Sequence, residues 1–253
     1  MMSKVYFVAS GKGGTGKTMF ACNLGASYAQ KGYRVVIVDM DMGQRNLDLY
    51  MGLENNIVFD VYDVMTGVCP IRQALVKDHR FESLYMIGAS PVRDRGDLTP
   101  LHVQVLCERL REQFDYVIID APSGIDDSMV LAASGSDAAV IVSTPEYASL
   151  RDADMLDSEL IKLGIYNRYL VINKLVAELM NQGILPKLRE IVTMMRPKLI
   201  GVIQWDENIN ISTNVGVPIV MKKDTYINSN FVNIMERLME DEARLDALDH
   251  PEE

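Results

Sequence analysis

The sequence predicts a doubly wound α/β fold: a mostly parallel sheet with helices on both faces, in one domain across residues 1–253. Short apolar runs alternate with amphipathic stretches along the chain. The runs are rich in Val and Ile and several are almost wholly apolar, as strands are when a parallel sheet is covered on both faces. Each stretch between them suits the helix of a βα unit.

The strands expected, in order, are KVYFVAS (4–10), RVVIVDM (34–40), SLYMIGA (83–89), DYVIIDA (115–121), AAVIVST (138–144), RYLVINK (168–174) and KLIGVIQ (198–204). A first helix runs over 17–31 and stops at Gly32. A second covers 100–113, with apolar residues at 101, 103, 105, 106 and 110. A third spans 150–163, puts Leu156, Leu160 and Leu163 on one face, and ends at Gly164. Stretches 185–195 and 231–245 are also amphipathic. No internal repeat, low-complexity run or Pro/Gly/Ser-rich linker divides the chain.

A chain of 253 residues can bury a full core, and no stretch is long enough to cross a bilayer. The opening run, Val5 to Ala9, is too short for a signal peptide, so the expected location is the cytoplasm. Cys22, Cys69 and Cys107 are far apart and form no C-x-x-C pair. They read as buried free thiols, not as a disulfide framework or a zinc or iron–sulfur site. The net charge of −10 argues against non-specific nucleic-acid binding and against adhesion to an anionic membrane by charge alone.

Gly11-Lys12-Gly13-Gly14-Thr15-Gly16-Lys17-Thr18 fits G-x-x-x-x-G-K-[ST], after a strand and opening a helix. The nucleotide-binding candidates are these eight residues and Met19. Glycines let the backbone wrap phosphates with its N–H groups turned inward, and the helix N-terminus adds positive potential. Lys17 is expected to reach the β- and γ-phosphates, and the Thr18 hydroxyl to bind Mg²⁺. Lys12, early in the loop, should leave the cradle of its own subunit. Across a dimer interface it would meet the facing subunit's phosphates and stabilise transition-state charge in trans; otherwise it is a solvated loop lysine.

Two further strands end in acid: VVIVDMDMGQRNLD carries Asp39 and Asp41, and YVIIDAPSGID carries Asp120. In an open parallel sheet ligands sit beyond the carboxyl ends of strands, so these acids share the crevice of the loop. Asp120 suits a Walker-B-type hold on Mg²⁺ and its waters, and Asp39 suits support of the metal shell. Asp41 would orient the attacking water or accept its proton. Asn173, closing LVINK, is either a turn-forming residue or a reader of the base edge through its paired donor and acceptor.

KGGTGKT resembles the deviant Walker A loop of the MinD/ParA family of P-loop ATPases. DMDMGQRNLDLYMG is similar to that family's switch I, including Gly43, Arg45, Asn46, Leu47, Asp48 and Gly52; DAPSGID is similar to its switch II. Residues 74–94, 144–156 and 201–220 continue the resemblance, which covers roughly residues 3–240. It implies an ATPase with ATP and Mg²⁺ at the site, Lys12 acting in trans within an ATP-dependent homodimer, and Asn173 at the adenine. It implies placement of the cell-division site, with a division-ring inhibitor and an activator of hydrolysis as partners that meet the helix of Asp152 and Asp154; taken as bare residues, those two read as a solvated helix face. The alternatives are a relative that sets flagellar number and placement, or another ParA-like positioning ATPase without its own membrane anchor. No nucleic-acid partner is expected.

The chain departs from the family pattern in two places. Gln204 and Trp205 stand where the family commonly has Pro and Glu; Trp205 either stacks on adenine or is packed. From Phe231 onward there are eight acidic residues (236, 240, 241, 242, 246, 249, 252, 253) against two basic ones (237, 244). An interfacial helix carries Lys and Arg on its polar face. Apolar positions 231, 234, 235, 238 and 239 therefore read as core-facing, and the tail does not support peripheral membrane association.

Overall fold

The computed structural model describes residues 3–92 and 98–249. Among these residues eight strands form one sheet: β1 (Lys4–Ala9), β2 (Val35–Asp39), β3 (Val76–Lys77), β4 (Leu84–Ile87), β5 (Tyr116–Asp120), β6 (Ala138–Ser143), β7 (Asn167–Leu175) and β8 (Lys198–Gln204). The helices are α1 (Lys17–Gln30), α2 (Leu47–Met51), α3 (Val61–Met65), α4 (Ile71–Ala74), α5 (Pro100–Arg111) and α6 (Asp127–Ala133). They continue with α7 (Tyr147–Lys162), α8 (Ala177–Asn181), α9 (Leu188–Met194), α10 (Glu207–Asn214) and α11 (Tyr226–Asp249).

The spatial order is β3-β4-β2-β5-β1-β6-β7-β8, parallel except for the antiparallel edge pair β3–β4. β1 lies between β5 and β6; the chain leaves it toward β2 on one side and reaches β6 on the other. Strand order reverses there, which opens a crevice at the carboxyl end of β1.

Alternation along each strand sorts the core into two layers. Val5, Phe7 and Ala9 of β1 face α5 and α7 through Val103, Leu106, Leu156 and Leu160. Tyr6 and Val8 face α1 and α11 through Phe20, Leu24, Phe231 and Leu238. The stripe of α11 at 231, 234, 235 and 238 is buried, as its spacing predicts, with Met239 packed at its margin. Glu242 on the same helix is buried too, and accepts hydrogen bonds from the Tyr6 and Tyr116 hydroxyls.

All seven expected strands are present. Two helices are longer than expected: α7 begins at Tyr147 and α11 at Tyr226. α9 is shorter, starting at Leu188, because Pro186 disfavours helix at Leu185. β3 and the short helices α2, α3, α4, α6, α8 and α10 carry too few residues to show a period, and sequence reading passed over them. Arg93 and Asp94, the end of one family-like stretch, and Glu252 and Glu253 of the acidic tail lie outside the described residues.

α11 lies close on β8, and a Cβ at Gly201 would collide with the Ile234 side chain. Gly201→Ala should therefore lower stability by about 1–3 kcal/mol, read as a lower urea midpoint. Ile234→Ala removes a buried side chain and lowers stability by itself, but combined with Gly201→Ala it should cost less than the sum of the two single losses. Strictly additive losses would show that this approach does not limit packing.

Candidate functional site

The crevice is built from the ends of four strands. After β1 the Ser10 hydroxyl donates to the Lys12 carbonyl at 3.0 Å, which turns the chain into the loop. The loop closes at Gly16, whose φ of 92° an L side chain seldom adopts, and α1 starts at Lys17. A Cβ at Gly16 would also collide with the Asn173 amide. The first turn of α1 holds no acidic residue, so its positive end is not cancelled locally.

The loop after β2 is stitched to the end of β5, and the loop after β5 to the end of β1. Met40 N–H donates to the Asp120 carbonyl at 2.9 Å, and Gly124 N–H to the Ser10 carbonyl at 3.0 Å. Asp39 and Asp120 are direct neighbours in register on β2 and β5. Lys17, Asp39 and Asp120 are all buried. The Lys17 ammonium lies 2.7 Å from Asp120 Oδ1.

The two carboxylates differ in what they hold. Asp39 accepts from the Asp41 N–H at 2.9 Å and from the Leu47 N–H at 3.2 Å, one on each oxygen. It thereby pins the loop between β2 and α2. Burial first, and the neighbouring Asp120 charge second, push its carboxyl well above the ordinary range, to about 8. Asp120 Oδ2 is buried and has no hydrogen-bond partner among the described residues, and neither has Thr15 Oγ1. Buried oxygens left open at a phosphate-loop crevice fit a ligand that brings a cation and water.

The structure gathers the sequence-predicted residues around this point. Gly11 to Met19 form the loop and the first turn of α1. Lys12 and Thr18 are half-buried, whereas Thr15 and Lys17 are buried. Asp41 is half-buried and lines a cavity of about 370 Å³ with Met40, Gln44, Pro122 and Ser123. Asn173 donates from Nδ2 to the Thr15 carbonyl at 2.7 Å and keeps its Oδ1 acceptor and a second N–H.

A second cavity, of about 180 Å³, adjoins the loop and is lined by Gly14, Gly16, Met19, Tyr50, Asn173 and Trp205. Trp205 is 55% exposed, so it is not a packed core residue. Lys174, which sequence reading passed over, also lines this cavity and donates to the Gly14 carbonyl at 2.7 Å. Its signal was the cation beside Asn173 in LVINK. On α7, Asp154 pairs with Arg196 at 3.1 Å and Asp157 with Arg168 at 2.5 Å. The Asp154 pair is half exposed and contributes at most about 1 kcal/mol.

Three comparisons bear on this site. The ParA family, described as NUBPL iron-transfer P-loop NTPase, matches residues 1–239. The septum site-determining protein MinD of Bacillus subtilis is 38% identical over 250 residues, 98% of this chain and 93% of that protein. Among solved structures, the MinC:MinD cell division protein complex of Aquifex aeolicus matches with a TM-score of 0.87 and 33% identity, over 94% of this chain and 96% of that one. The septum site-determining protein MinD of Pyrococcus horikoshii, complexed with Mg-ADP, matches with a TM-score of 0.83 and 25% identity, over 94% and 96% of the two chains.

Asp39 yields a test in the nucleotide-free, magnesium-free protein. Its folded carboxyl keeps a proton that the unfolded chain, with an ordinary value of 3.8, gives up. The stability this contributes is complete below about pH 4 and is lost as pH rises to about 8. The denaturation midpoint should fall across that window, and Asp39→Asn should flatten the fall. A variant with the same pH slope as the native chain would show that Asp39 is already ionised.

Proposed function

This chain belongs to the MinD/ParA family of P-loop ATPases, and from that membership we propose that it is the ATP-driven switch that controls placement of the cell-division site. The observation that carries the reading is the buried Lys17–Asp120 pair beneath the phosphate loop, with Asp120 Oδ2 open beside it.

Thr18 and Asp120, supported by Asp39, would hold Mg²⁺. When bound, that ion neutralises charge on the β- and γ-phosphate oxygens. With a nucleotide bound, Lys17 would turn from Asp120 to phosphate, and Asp120 would be left to hold the metal. Asp41 orients the attacking water and takes up its proton. Lys12 reaches the phosphates of a second subunit and stabilises transition-state charge there, so hydrolysis depends on the dimer. Asn173, held by the Thr15 carbonyl, presents donor and acceptor to adenine, and the exposed Trp205 offers a stacking face.

The MinC in the Aquifex complex supports a division inhibitor as one partner. An activator of hydrolysis is the second. α11 spends its apolar stripe on the sheet, so a membrane surface would be met through another part of the chain or through a partner. Among the described residues no helix is long and apolar enough to cross a membrane.

Lys12→Ala should lower activator-stimulated turnover by at least about 10³-fold, by analogy with a trans-acting arginine. It should also abolish ATP-dependent pairing in light scattering; an unchanged rate would end the in-trans role. Asp41→Ala should accumulate the ATP dimer, and normal hydrolysis by that variant would remove Asp41 from water activation. In cells, loss of the chain should misplace division. Normal division with altered flagellar number would favour the alternative function.

A further inference from the structure

Asn173 and Lys174 are consecutive residues of β7, and their side chains hold consecutive carbonyls of the phosphate loop. Asn173 Nδ2 donates to the Thr15 carbonyl and Lys174 Nζ to the Gly14 carbonyl, each at 2.7 Å. Neighbours in a regular strand point to opposite faces, so an undisturbed β7 could not do this. The register breaks at this point. Ile172 pairs with Val202 and Leu175 with Gln204, so β7 advances one residue more than β8 between them. Within this bulge Lys174 takes a φ of 56°, in the left-handed region that a side chain of its kind seldom adopts. Backbone strain of this kind persists only where the surroundings impose it, and it clusters at ligand sites.

We propose that Lys174 is a positioning residue for the phosphate cradle and acts through the Gly14 carbonyl. A trans peptide is planar, so its C=O and the next residue's N–H point in opposite directions. Pinning the Gly14 oxygen aims the Thr15 N–H, and pinning the Thr15 oxygen aims the Gly16 N–H. The two side chains thus fix two successive donors before an anion arrives. Gly14 itself sits at φ 80° between glycine and threonine, and a peptide beside glycine turns freely unless held. Holding it removes a reorganisation that binding would otherwise require. Lys174 contributes to the cradle's geometry, and Lys17 to its charge.

The inference rests on the reading of the loop as a nucleotide site. Binding of Mg-ADP, Mg-GDP and Mg-pyrophosphate would be measured by calorimetry on the native chain, Lys174→Met, Lys174→Gly and Lys174→Arg. Lys174→Met should weaken ADP and pyrophosphate alike, by about threefold to tenfold, the range of one ordinary hydrogen bond, since the Lys174 side chain is exposed and its charge is screened by water. Lys174→Arg should restore most of the affinity, and the preference for ADP over GDP should not change. Lys174→Gly suits the left-handed backbone, so it keeps the fold if Lys174→Met melts early, and it should show the same loss. Native affinity for both ligands in Lys174→Gly would overturn the proposal. So would weakened ADP with unchanged pyrophosphate, which would place Lys174 at the base. A native chain that binds none of the three would instead refute the nucleotide reading.

Discussion

At the centre of the molecule a lysine ammonium and a carboxylate face each other at 2.7 Å with 4% and 1% of their side chains exposed. Two charges taken this far from water are tolerated only when each satisfies the other. The demand fixes much of what surrounds them. β1 and β5 must be neighbours, because Lys17 follows the first and Asp120 closes the second. Asp39, on the next strand, then lies beside a carboxylate already in use; it accepts from two backbone N–H groups, and burial and that neighbour push its carboxyl toward the protonated form. The loops after β1, β2 and β5 are drawn together over one point as a result. The resting state therefore already contains an arrangement in which a cationic side chain covers an oxygen that a metal's water shell can take over.

The parallel sheet was plain in the sequence because a strand covered on both faces has little choice but Val, Ile and Leu. The phosphate loop was legible for a different reason: only glycines permit its backbone, and Lys17 and Thr18 follow at fixed spacing. The acids at the ends of β2 and β5 could be placed in the crevice from strand polarity alone. What each holds could not. Sequence put both Asp39 and Asp120 on the metal side, and only the structure shows one accepting from the Asp41 and Leu47 N–H groups while the other faces Lys17. Lys174 was hidden because alternation assigns it to the wrong face, and a one-residue bulge cannot be seen in a run of apolar residues. Most of the short helices escaped because four to eight residues make at most about two turns and show too little of a stripe.

The acidic count of α11 suggests a helix facing water, yet the helix is divided. Lys31 and Lys198 pair with Glu236 and Asp241 at its exposed margins, while Phe231, Ile234, Met235 and Leu238 go into the core. Charge total and burial pattern thus answer different questions. The first describes the surface a partner would meet, and the second shows what the helix is needed for.

Glu242 gives this arrangement a temporal meaning. It bonds to Tyr6 across 236 residues of chain. The strand that leads into the phosphate loop is synthesised 236 residues ahead of Glu242, so one of its buried side chains finds its partner only when residue 242 has emerged. Contacts so distant in sequence close late and slowly. A ribosome-bound chain carries its whole phosphate loop long before the helix of Glu242 can close over the strand beneath it, so catalytic competence should wait for that contact.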